Sequence, residues 1–596
     1  MCGIAASYAY DSRAQALGAE SVLRMCDRMR SRGPDGDGLW RSADGRAVLG
    51  HRRLAIIDLS AGGAQPMSSK DASLALTFNG EIYNYRELRR ELEAKGYQFR
   101  TQSDTEVLLQ LYADRGDEMV HALRGMFAFA LWDGRTNRLL LARDPFGIKP
   151  LYYADDGRCI FVASEVKALL AAGVSGAEPE AAGHTGFFLW GHVPEPFTLY
   201  KRIRALPAGS LLAIDRSGAS AVREYANLRT LLGEAEDEPA RVLHPTEAAE
   251  ELRSLLLDSV KHHLVADVDV GVFLSAGRDS TTLAALATEL GGQVASVTLG
   301  FSEYRNTSND EVPLAEMVAK HYATSHQTIW VTRDDFRREL PRFLDRMDQP
   351  SIDGVNSYFV ARAAAQTGLK VALSGLGGDE IFGGYSSFHE VPRLQHFVGL
   401  VPNAKPVGRA IRRAVAPFAG AITSPKYAGV VEYGSTLGGA YLLRRGLFLP
   451  WELQTVLPPE MAREGLGDLD IESRLADTSF GLRSDRFRIS ALEGSWYMRN
   501  QLLRDTDWAS MTHSLEVRVP FVDWTLWKRL ASLMRSAQVG KDSLARVPAV
   551  PLPQAVLDRP KTGFQVPTRQ WMNDMEAAPK QRGLRGWAQF IYKTAA

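Results

Sequence analysis

The chain has 596 residues, more than one hydrophobic core usually organises, so two or more domains are expected. Lys and Arg total 70, and Asp and Glu total 70, so no excess of positive charge marks a nucleic acid or an anionic membrane as a partner. Three cysteines cannot form a disulfide framework, the first residues do not resemble a signal peptide, and no apolar run is long enough to span a bilayer. The cytosol is therefore the expected compartment.

The first residues, MCGIAASYAY, place one of the three cysteines directly after the initiator methionine. One interpretation is a frayed terminus without a role. The other is that methionine is removed, so that Cys2 carries both a thiol and a free α-amine. At this point of the sequence both interpretations stay open.

Residues 2–225 show short strand patterns, turns and a few helices. The segment 84–96 predicts a helix that begins with a capping box formed by Asn84 and Glu87. Residues 126–144 contain two β-prone runs around a turn, which predicts a hairpin. Together these patterns predict an α+β domain with antiparallel sheets.

The composition changes at residues 226–245, which are polar, acidic and bounded by prolines, and this segment is predicted to be a linker. In residues 246–596 the pattern alternates between strands and helices. Buried-strand patterns occur at 269–277, 293–301 and 369–375, and helical patterns separate them. Such alternation predicts a parallel sheet covered on both faces, followed beyond about residue 390 by a mainly helical region.

A small-residue loop follows the first of these strands. Ser275, Gly277 and Ser280 would leave hydroxyl and backbone N–H groups beside a helix N-terminus, which suits phosphate or pyrophosphate. Asp279 fits beside phosphate only if a divalent cation lies between them, and Mg²⁺ commonly binds in this way. The alternative is a capped turn without a ligand. The loop lacks the lysine of a P-loop, so it is not one.

A second loop, in 371–385, follows another buried strand and surrounds Asp379 and Glu380 with five glycines. Ligands in open α/β sheets bind at the carboxyl ends of the strands, and both loops lie at that end. A flexible turn is the alternative, but it does not account for two adjacent acids between glycines after an apolar strand.

Several motifs resemble the glutamine-hydrolysing asparagine synthetases. The S-x-G-x-D-S loop resembles the pyrophosphatase loop of adenylating enzymes. The segments LSGLGGDEIFGGY, RDTDWASMTHSLEVRVPFVD and RPKTGF are similar to the synthetase domain of that family. The first domain carries motifs similar to class II glutamine amidotransferases, namely MCGI, SRGPDGDG, HRRLAIID, FNGEIYNY, SDTEV and RDPFGIKPLYY.

This resemblance implies a fold for each part of the chain. Residues 2–225 would form an α+β glutaminase domain like an Ntn hydrolase, with antiparallel sheets sandwiched between helices. After the linker at 226–245, residues 246–596 would form an α/β domain with a parallel sheet, like the adenine nucleotide alpha hydrolases, and a helical C-terminal part.

The resemblance gives Cys2 the role of an N-terminal nucleophile. Its α-amine titrates close to the thiol, so it can act as the base for its own side chain. Asn79 and the backbone N–H of Gly80 would stabilise the oxyanion, and Arg53 would hold the glutamine carboxylate. The remaining glutamine-binding residues would be Leu54, Ala55, Ile56, Ile57, Glu81 and Asp104, with Asp104 and Glu81 on the α-ammonium. Taken singly, Arg53 could be a surface ion-pair residue and Asp104 a first-turn acid.

In the second domain the resemblance implies an ATP site. The nucleotide would be bound by Leu274, Ser275, Gly277, Asp279, Ser280, Leu299, Ser374 and Gly375. Asp279 and Asp379 would bind Mg²⁺, Glu380 would act with Asp279 on metal and pyrophosphate, and Lys561 would offset phosphate charge. Ammonia would pass from the first domain to an acyl-adenylate in the second through an internal tunnel.

Two residues depart from the family pattern. Ala276 stands where the loop usually has a glycine, and Leu376 stands where many asparagine-forming members carry an acid. The substrates expected are glutamine, ATP and aspartate, and Leu376 leaves open another carboxylate acceptor, on a cell-envelope sugar or a secondary metabolite.

Two further alternatives are considered. A phosphoribosyl or sugar-phosphate amidotransferase would share the first domain, but the S-x-G-x-D-S loop argues against it. A non-catalytic regulatory or scaffold protein would not need Cys2, Asn79 and Asp279. Whether the chain forms a homodimer stays open.

Overall fold

The computed structural model describes residues 2–14, 19–174, 176–422, 424–560, 566–572 and 583–595. Within these ranges no helix is both long enough and apolar enough to cross a membrane.

Thirteen strands in the first part of the described chain pair into two sheets. They are β1 (Gly3–Ala9), β2 (Gly36–Arg41), β3 (Ala47–Arg53), β4 (Met67–Ser68), β5 (Leu74–Ile82), β6 (Gly125–Asp133), β7 (Arg138–Arg143), β8 (Tyr152–Asp155), β9 (Cys159–Ala163), β10 (Ile203–Ala205), β11 (Ser210–Asp215), β12 (Gly218–Ala219) and β13 (Arg223–Glu224). One sheet has the order β10-β8-β9-β1-β3-β2. The other has the order β12-β11-β7-β6-β5-β4, with β13 on β11, and both sheets are antiparallel.

The two sheets pack face to face. Tyr8 and Leu49 of the first sheet share one buried cluster with Trp132 and Leu141 of the second. Helices cover the outer faces, and their bounds are Ala19–Arg28, Tyr85–Ala94, Asp104–Arg115 and Val166–Ala171. Helix Ala181–Trp190 instead packs into a cluster with the second part of the chain. The predicted α+β domain, with antiparallel sheets between helices, is confirmed.

Local predictions in this domain have mixed outcomes. The hairpin predicted at 126–144 is confirmed as β6 and β7. The helix predicted from 84 is present, but the prediction of a capping box is wrong, because the Asn84 side chain does not cap the helix. The Asn84 side chain instead donates to the Ala122 carbonyl at 2.9 Å and accepts from the Arg124 N–H at 3.0 Å, so it fixes a neighbouring loop.

The segment predicted as a linker contains a helix, Leu228–Asp237. Leu231 and Leu232 on this helix are buried, so the connection packs against the protein instead of crossing solvent. The next helix, Pro245–His263, begins with His244 as its cap.

Five strands form a parallel sheet in the second part of the chain. They are β14 (Val270–Phe273), β15 (Ala295–Phe301), β16 (Ser325–Val331), β17 (Val371–Leu373) and β18 (Glu516–Arg518), in the order β16-β15-β14-β17-β18. The three strands predicted from the sequence are confirmed as β14, β15 and β17. Strand order reverses between β14 and β17, and open sheets bind ligands at such a reversal, at the carboxyl ends.

Helices surround this sheet and form most of the chain after residue 386, as predicted. Those that precede residue 386 are Pro245–His263, Arg278–Gly291, Val312–His321, Arg333–Arg346, Gly354–Gln366 and Gly378–Phe382. Those that follow are Ser387–Gly399, Ala404–Ile422, Val430–Tyr433, Leu437–Arg445, Pro459–Leu469, Ile471–Ser479, Asp485–Leu492, Arg504–Met511, Trp524–Ser536, Lys541–Ala545, Gln554–Leu557, Thr568–Met572 and Leu584–Ala595. Short 3₁₀ turns lie at Arg30–Arg32, Ala61–Gly63, Gly116–Ala122, Ser302–Tyr304, Pro425–Gly429, Pro450–Thr455 and Pro520–Val522.

One helical segment, Glu493–Leu503, is wound as a π-helix. It joins Asp485–Leu492 to Arg504–Met511 without a break, so residues 485–511 form one long helix with a wider middle. π-helical turns are rare and are frequently found at functional sites.

Candidate active sites

Cys2 lies where the two antiparallel sheets meet. It directly precedes β1, is buried, and donates its backbone N–H to Asn79 Oδ1 of β5 at 2.9 Å. The backbone N–H of Leu54, just after β3, bonds to the Cys2 thiol, whose pKa is raised because the group is buried. Burial therefore keeps the thiol protonated, and an adjacent base is needed to activate it.

An unsatisfied donor and a glycine lie next to this cysteine. Asn79 Nδ2 is buried and has no hydrogen-bond partner among the described residues. Gly80 has φ +152°, and a Cβ there would come within 2.0 Å of the Met126 carbonyl oxygen. Because a buried donor without a partner is costly, Asn79 is poised to bond an oxygen supplied by a ligand.

Two buried acids lie beside these residues. Asp104, at the start of helix Asp104–Arg115, accepts from the Ile82 N–H at 3.1 Å, and burial raises its pKa to about 6. Glu81 has a pKa raised well above its ordinary value, first by burial and then by Glu516. A ligand cation between these acids would favour their charged forms.

Arg53 does not form a surface ion pair among the described residues. At the end of β3, its guanidinium donates to the Ser60 carbonyl at 2.9 Å and to the Asp58 carbonyl. A Cβ at Gly63 would come within 2.1 Å of Arg53 Nη2, so the glycine makes room for the side chain. The predicted glutamine-binding run Leu54, Ala55, Ile56 and Ile57 is buried directly after it.

The second candidate site begins at the loop between β14 and helix Arg278–Gly291. Ser275 Oγ lies 2.8 Å from Ser280 Oγ and accepts from the Gly277 N–H at 3.2 Å. These bonds hold the loop closed over the helix N-terminus. The helix N-terminus carries a partial positive charge, so the predicted anion site has the expected backbone.

The two predicted loops touch each other. A Cβ at Gly375 would lie 3.0 Å from Asp279 Cβ, and one at Gly378 would lie 2.8 Å from Asp279 Cγ. Glycine is therefore required by close approach, because any side chain would displace the Asp279 carboxylate. The adjacency of β14 and β17 in the sheet brings these distant segments together.

Lys541 joins the two acids that were predicted to bind metal. Its Nζ lies 2.5 and 2.6 Å from the two Asp279 carboxylate oxygens and 2.7 Å from Asp379 Oδ1. The sequence did not indicate this lysine, because it lies 262 residues after Asp279 and belongs to no recognised motif. The two carboxylates thus converge on one cation.

The same convergence tests whether Mg²⁺ fits. Among the described residues no cluster of three or more His, Cys, Asp or Glu could hold a metal. Two carboxylates are nevertheless enough for Mg²⁺ when phosphate oxygens and water complete its shell. Asp279 and Asp379 therefore fit a magnesium ion that arrives with a nucleotide.

Glu380 lies next to Asp379 but is buried. It accepts from the Tyr385 hydroxyl at 2.9 Å, and burial, followed by the Asp379 charge, raises its pKa to about 8. Its Oε2 has no hydrogen-bond partner among the described residues. Lys561, the remaining predicted catalytic residue, lies outside the described residues.

The other predicted nucleotide residues line the carboxyl ends of the strands. Leu274, directly after β14, and Leu299 of β15 are buried, and Ser374 donates its N–H to the Arg518 carbonyl at 2.8 Å. Leu376 donates its N–H to Ser374 Oγ at 3.4 Å and packs its half-buried side chain against the core. Ala276 is buried in the first loop.

The segment 504–523 connects the two candidate sites. Arg32 Nη1 and Nη2 lie 2.8 and 3.2 Å from the Asp507 carboxylate, and Arg32 Nε donates to the Cys2 carbonyl at 3.0 Å. Arg518 Nη2 lies 3.6 Å from Glu81 Oε2. The sequence resemblance marked this segment but did not indicate that it faces the first domain.

Comparison with known proteins agrees with this geometry. Residues 1–226 match the family model described as glutamine amidotransferase domain, and residues 251–582 match the one described as asparagine synthase. The chain belongs to the asparagine synthase family, and it is an enzyme of the glutamine-dependent synthetase and amidotransferase type.

Relatives match along nearly the whole chain. "Asparagine synthetase [glutamine-hydrolyzing] 1" of Bacillus subtilis is 32% identical over 584 residues, covering 96% of this chain and 88% of the relative. "Putative asparagine synthetase [glutamine-hydrolyzing]" of Mycobacterium tuberculosis is 35% identical over 597 residues, with the same coverage. "Asparagine synthetase B [glutamine-hydrolyzing]" of Escherichia coli is 34% identical over 396 residues, covering 63% of each chain.

Proposed function

We propose that this enzyme hydrolyses glutamine at Cys2 and uses the ammonia to convert aspartate into asparagine, with cleavage of ATP to AMP and pyrophosphate. The observation that supports this most directly is the convergence of Asp279 and Asp379 on one cation at the reversal of the parallel sheet. A pair of acids at that place suits a nucleotide whose phosphates carry Mg²⁺. The names of the relatives support aspartate as the acceptor.

In the glutaminase half, Cys2 attacks the side-chain amide carbon of glutamine after Met1 is removed. The α-amine takes the thiol proton and passes a proton to the leaving ammonia. Asn79 Nδ2 and the Gly80 N–H bond the oxyanion, since Asn79 already presents an unpartnered donor. Arg53 holds the α-carboxylate, and Asp104, helped by Glu81, holds the α-ammonium.

In the synthetase half, the nucleotide lies across the two loops. The backbone of Ser275–Ser280 and the N-terminus of helix Arg278–Gly291 hold the phosphates. Mg²⁺ held by Asp279 and Asp379 would offset phosphate charge when bound. Lys541, whose flexible stem places its ammonium beside both acids, would add positive charge next to the phosphates.

The proposed division of labour also gives the domain boundaries. We assign residues 2–225 to the glutaminase domain, 226–245 to the connection and 246–596 to the synthetase domain. The residues Leu274, Leu299, Ser374 and Gly375 complete the nucleotide site, and Lys561 keeps its predicted role in offsetting phosphate charge.

The experiment that tests this function is mass spectrometry of the products made from ¹⁵N-amide-labelled glutamine, ATP, Mg²⁺ and aspartate. We expect labelled asparagine, AMP and pyrophosphate in equal amounts. A control without ATP should give glutamate and ammonia but no asparagine. Glutamine hydrolysis with no amidated aspartate would contradict the assignment of the acceptor while leaving the glutaminase half intact.

Leu376 favours a second candidate, the same reaction on another carboxylate. Its apolar side chain stands beside Ser374, where a polar residue could orient water or an ammonium group. We therefore expect slow use of aspartate, below about 1 s⁻¹. Leu376→Glu should raise aspartate-dependent pyrophosphate release or leave it unaltered, with no gain in glutaminase activity. A wild-type enzyme that uses aspartate faster than this would rule out the second candidate and leave aspartate as the acceptor.

A further inference from the structure

A cavity of about 430 Å³ lies apart from both candidate sites. Its walls are formed by Glu195, in the loop before β10, by the connection near Arg229, by helix Ile471–Ser479 and by the π-helix Glu493–Leu503. Its volume is in the range of small-molecule sites. No residue assigned above to glutamine or ATP lines it.

Three arginines face this cavity without an ionic partner. Arg229, Arg474 and Arg499 form no ion pair with any described carboxylate. Arg229 donates to the Asp477 carbonyl at 3.3 Å, Arg474 to the Glu195 carbonyl at 2.7 Å, and Arg499, through Nε, to the Phe146 carbonyl at 3.3 Å. Backbone carbonyls satisfy only part of the five donors on each guanidinium.

Two carboxylates, Glu195 and Asp477, line the cavity beside the three arginines. Glu195 is already engaged by Arg143, whose Nη1 lies 2.8 Å from Glu195 Oε1. The other acid, Asp477, is exposed at the rim. Burial lowers the pKa of both Arg474 and Arg499, and the charge of Glu195, which acts on both, offsets this effect only in part.

We propose that this cavity binds a small organic dianion, of the phosphate monoester or dicarboxylate class, through Arg229, Arg474 and Arg499. Guanidinium groups match both anions because each can form two parallel hydrogen bonds to them. The Ser495 hydroxyl of the π-helix adds an uncharged group to the lining.

Such a ligand would connect the two halves of the enzyme. Arg229 belongs to the connection, whereas Arg499 lies on the π-helix, whose Glu493 pairs with Arg445 at 3.0 Å on the side of Tyr385 and Glu380. A bound dianion would hold the connection against this helix. It should therefore raise the melting temperature of the intact protein.

The test is calorimetric titration of the full-length protein with glycerol 3-phosphate and, separately, with succinate, at constant ionic strength. We expect saturable binding of one of them with a dissociation constant below about 1 mM. The tighter probe identifies the class of anion. Arg229→Gln and Arg499→Gln should each weaken binding by at least about tenfold, since each removes a charged donor.

Controls separate this site from the others. Arg90→Gln removes an exposed arginine on a distant helix and should leave binding unchanged. Binding should persist with saturating ATP and glutamine, and its loss to ATP would place the anion in the nucleotide site and overturn the proposal. Absence of saturable binding of both probes, or binding unchanged in Arg229→Gln, would also overturn it. Arg229 is half-exposed, so its variant keeps the test available if Arg499→Gln does not fold.

Discussion

The two candidate active sites obtain their electrostatic properties in different ways. Around Cys2, the functional side chains Asn79, Glu81 and Asp104 sit on a strand and at a helix start, and all are buried. Asp279 and Asp379 of the second site instead lie in the first turns of helices Arg278–Gly291 and Gly378–Phe382 and are half-buried, and a distant lysine supplies the opposing charge. Burial therefore dominates the electrostatics of the first site, and the paired charges of Asp279, Asp379 and Lys541 dominate those of the second.

The largest expected effect comes from removing the nucleophile. Cys2→Ala should reduce glutamine hydrolysis by at least about 10³-fold, because no other group can form the thioester. Amide formation from free ammonium should continue, since the synthetase site lies on the other domain. Both rates can be measured with glutamate and AMP assays.

A matched control is Cys26→Ala, which removes another buried free cysteine without touching the site. If a folded Cys2→Ala variant also loses ammonium-dependent synthesis, Cys2 does more than release nitrogen. N-terminal sequencing that finds Met1 retained on fully active enzyme would contradict the α-amine mechanism.

The complementary change is Asp279→Asn. It removes a charge with little change of shape, so ATP-dependent ligation should fall by about 10²-fold or more while glutaminase activity stays near wild type. Pyrophosphate release and glutamate formation measure the two halves separately. An unchanged rate of pyrophosphate release would rule out the assigned role of Asp279.

An effect of similar size is expected on glutamine hydrolysis at the oxyanion position. Asn79→Ala should lower kcat for glutamine by about 10²- to 10³-fold with little change in KM, because the donor bonds charge that develops during attack. Gln65→Ala offers a control, since Gln65 supports the same strand through the Phe78 N–H at 2.7 Å without a predicted catalytic role. Equal losses in both variants would show that strand geometry, not the donor, is responsible.

The sequence predicted the parts of both sites that lie within one segment. Cys2, the FNGE strand and the two glycine-rich loops are local patterns with a local chemical reason, and the confirmed strands place the loops at one edge. Strand β18 and Lys541 were not predicted. A three-residue strand and a single lysine have no local signature, and only the folding of distant helices brings them to the site.

Segment 504–523 also has contacts that the sequence does not predict. Its polar residues are local to the second domain in sequence, but Asp507 is satisfied by Arg32 and Arg518 approaches Glu81. A partner 475 residues away cannot be read from spacing. The cap predicted at Asn84 is wrong for a similar reason, because the Asn84 side chain bonds to the loop at Ala122 and Arg124 instead.

The smallest of the expected effects is a pH dependence confined to the first site. Because burial raises the pKa of Asp104 to about 6, the carboxylate that we propose binds the glutamine ammonium is protonated at lower pH. We expect protonation of Asp104 to add an acid limb to kcat/KM for glutamine near pH 6, on top of the dependence that the α-amine of Cys2 and Glu81 impose at higher pH. Asp104→Asn should lower kcat/KM and remove this limb of the profile.

Ammonium-dependent synthesis measured over the same range provides the control. It should not follow the titration of Asp104, since that residue does not touch the nucleotide loops. A shared acid limb in both activities would mean that the two sites titrate as one unit.

The ion pair between Arg32 and Asp507 bears on whether the two domains can be exchanged as modules. A partner domain that lacks the matching charge at 32 or 507 would leave the other charge buried without its partner, a change that typically costs about 3–5 kcal/mol. A chimaera that joins this first domain to a relative's synthetase domain would need to keep three ion pairs between the two. They are Arg32 with Asp507, Glu81 with Arg518, and Arg124 with Asp523. The boundary that matters for transplantation is therefore a three-dimensional surface, and the covalent connection at 226–245 is only its most visible part.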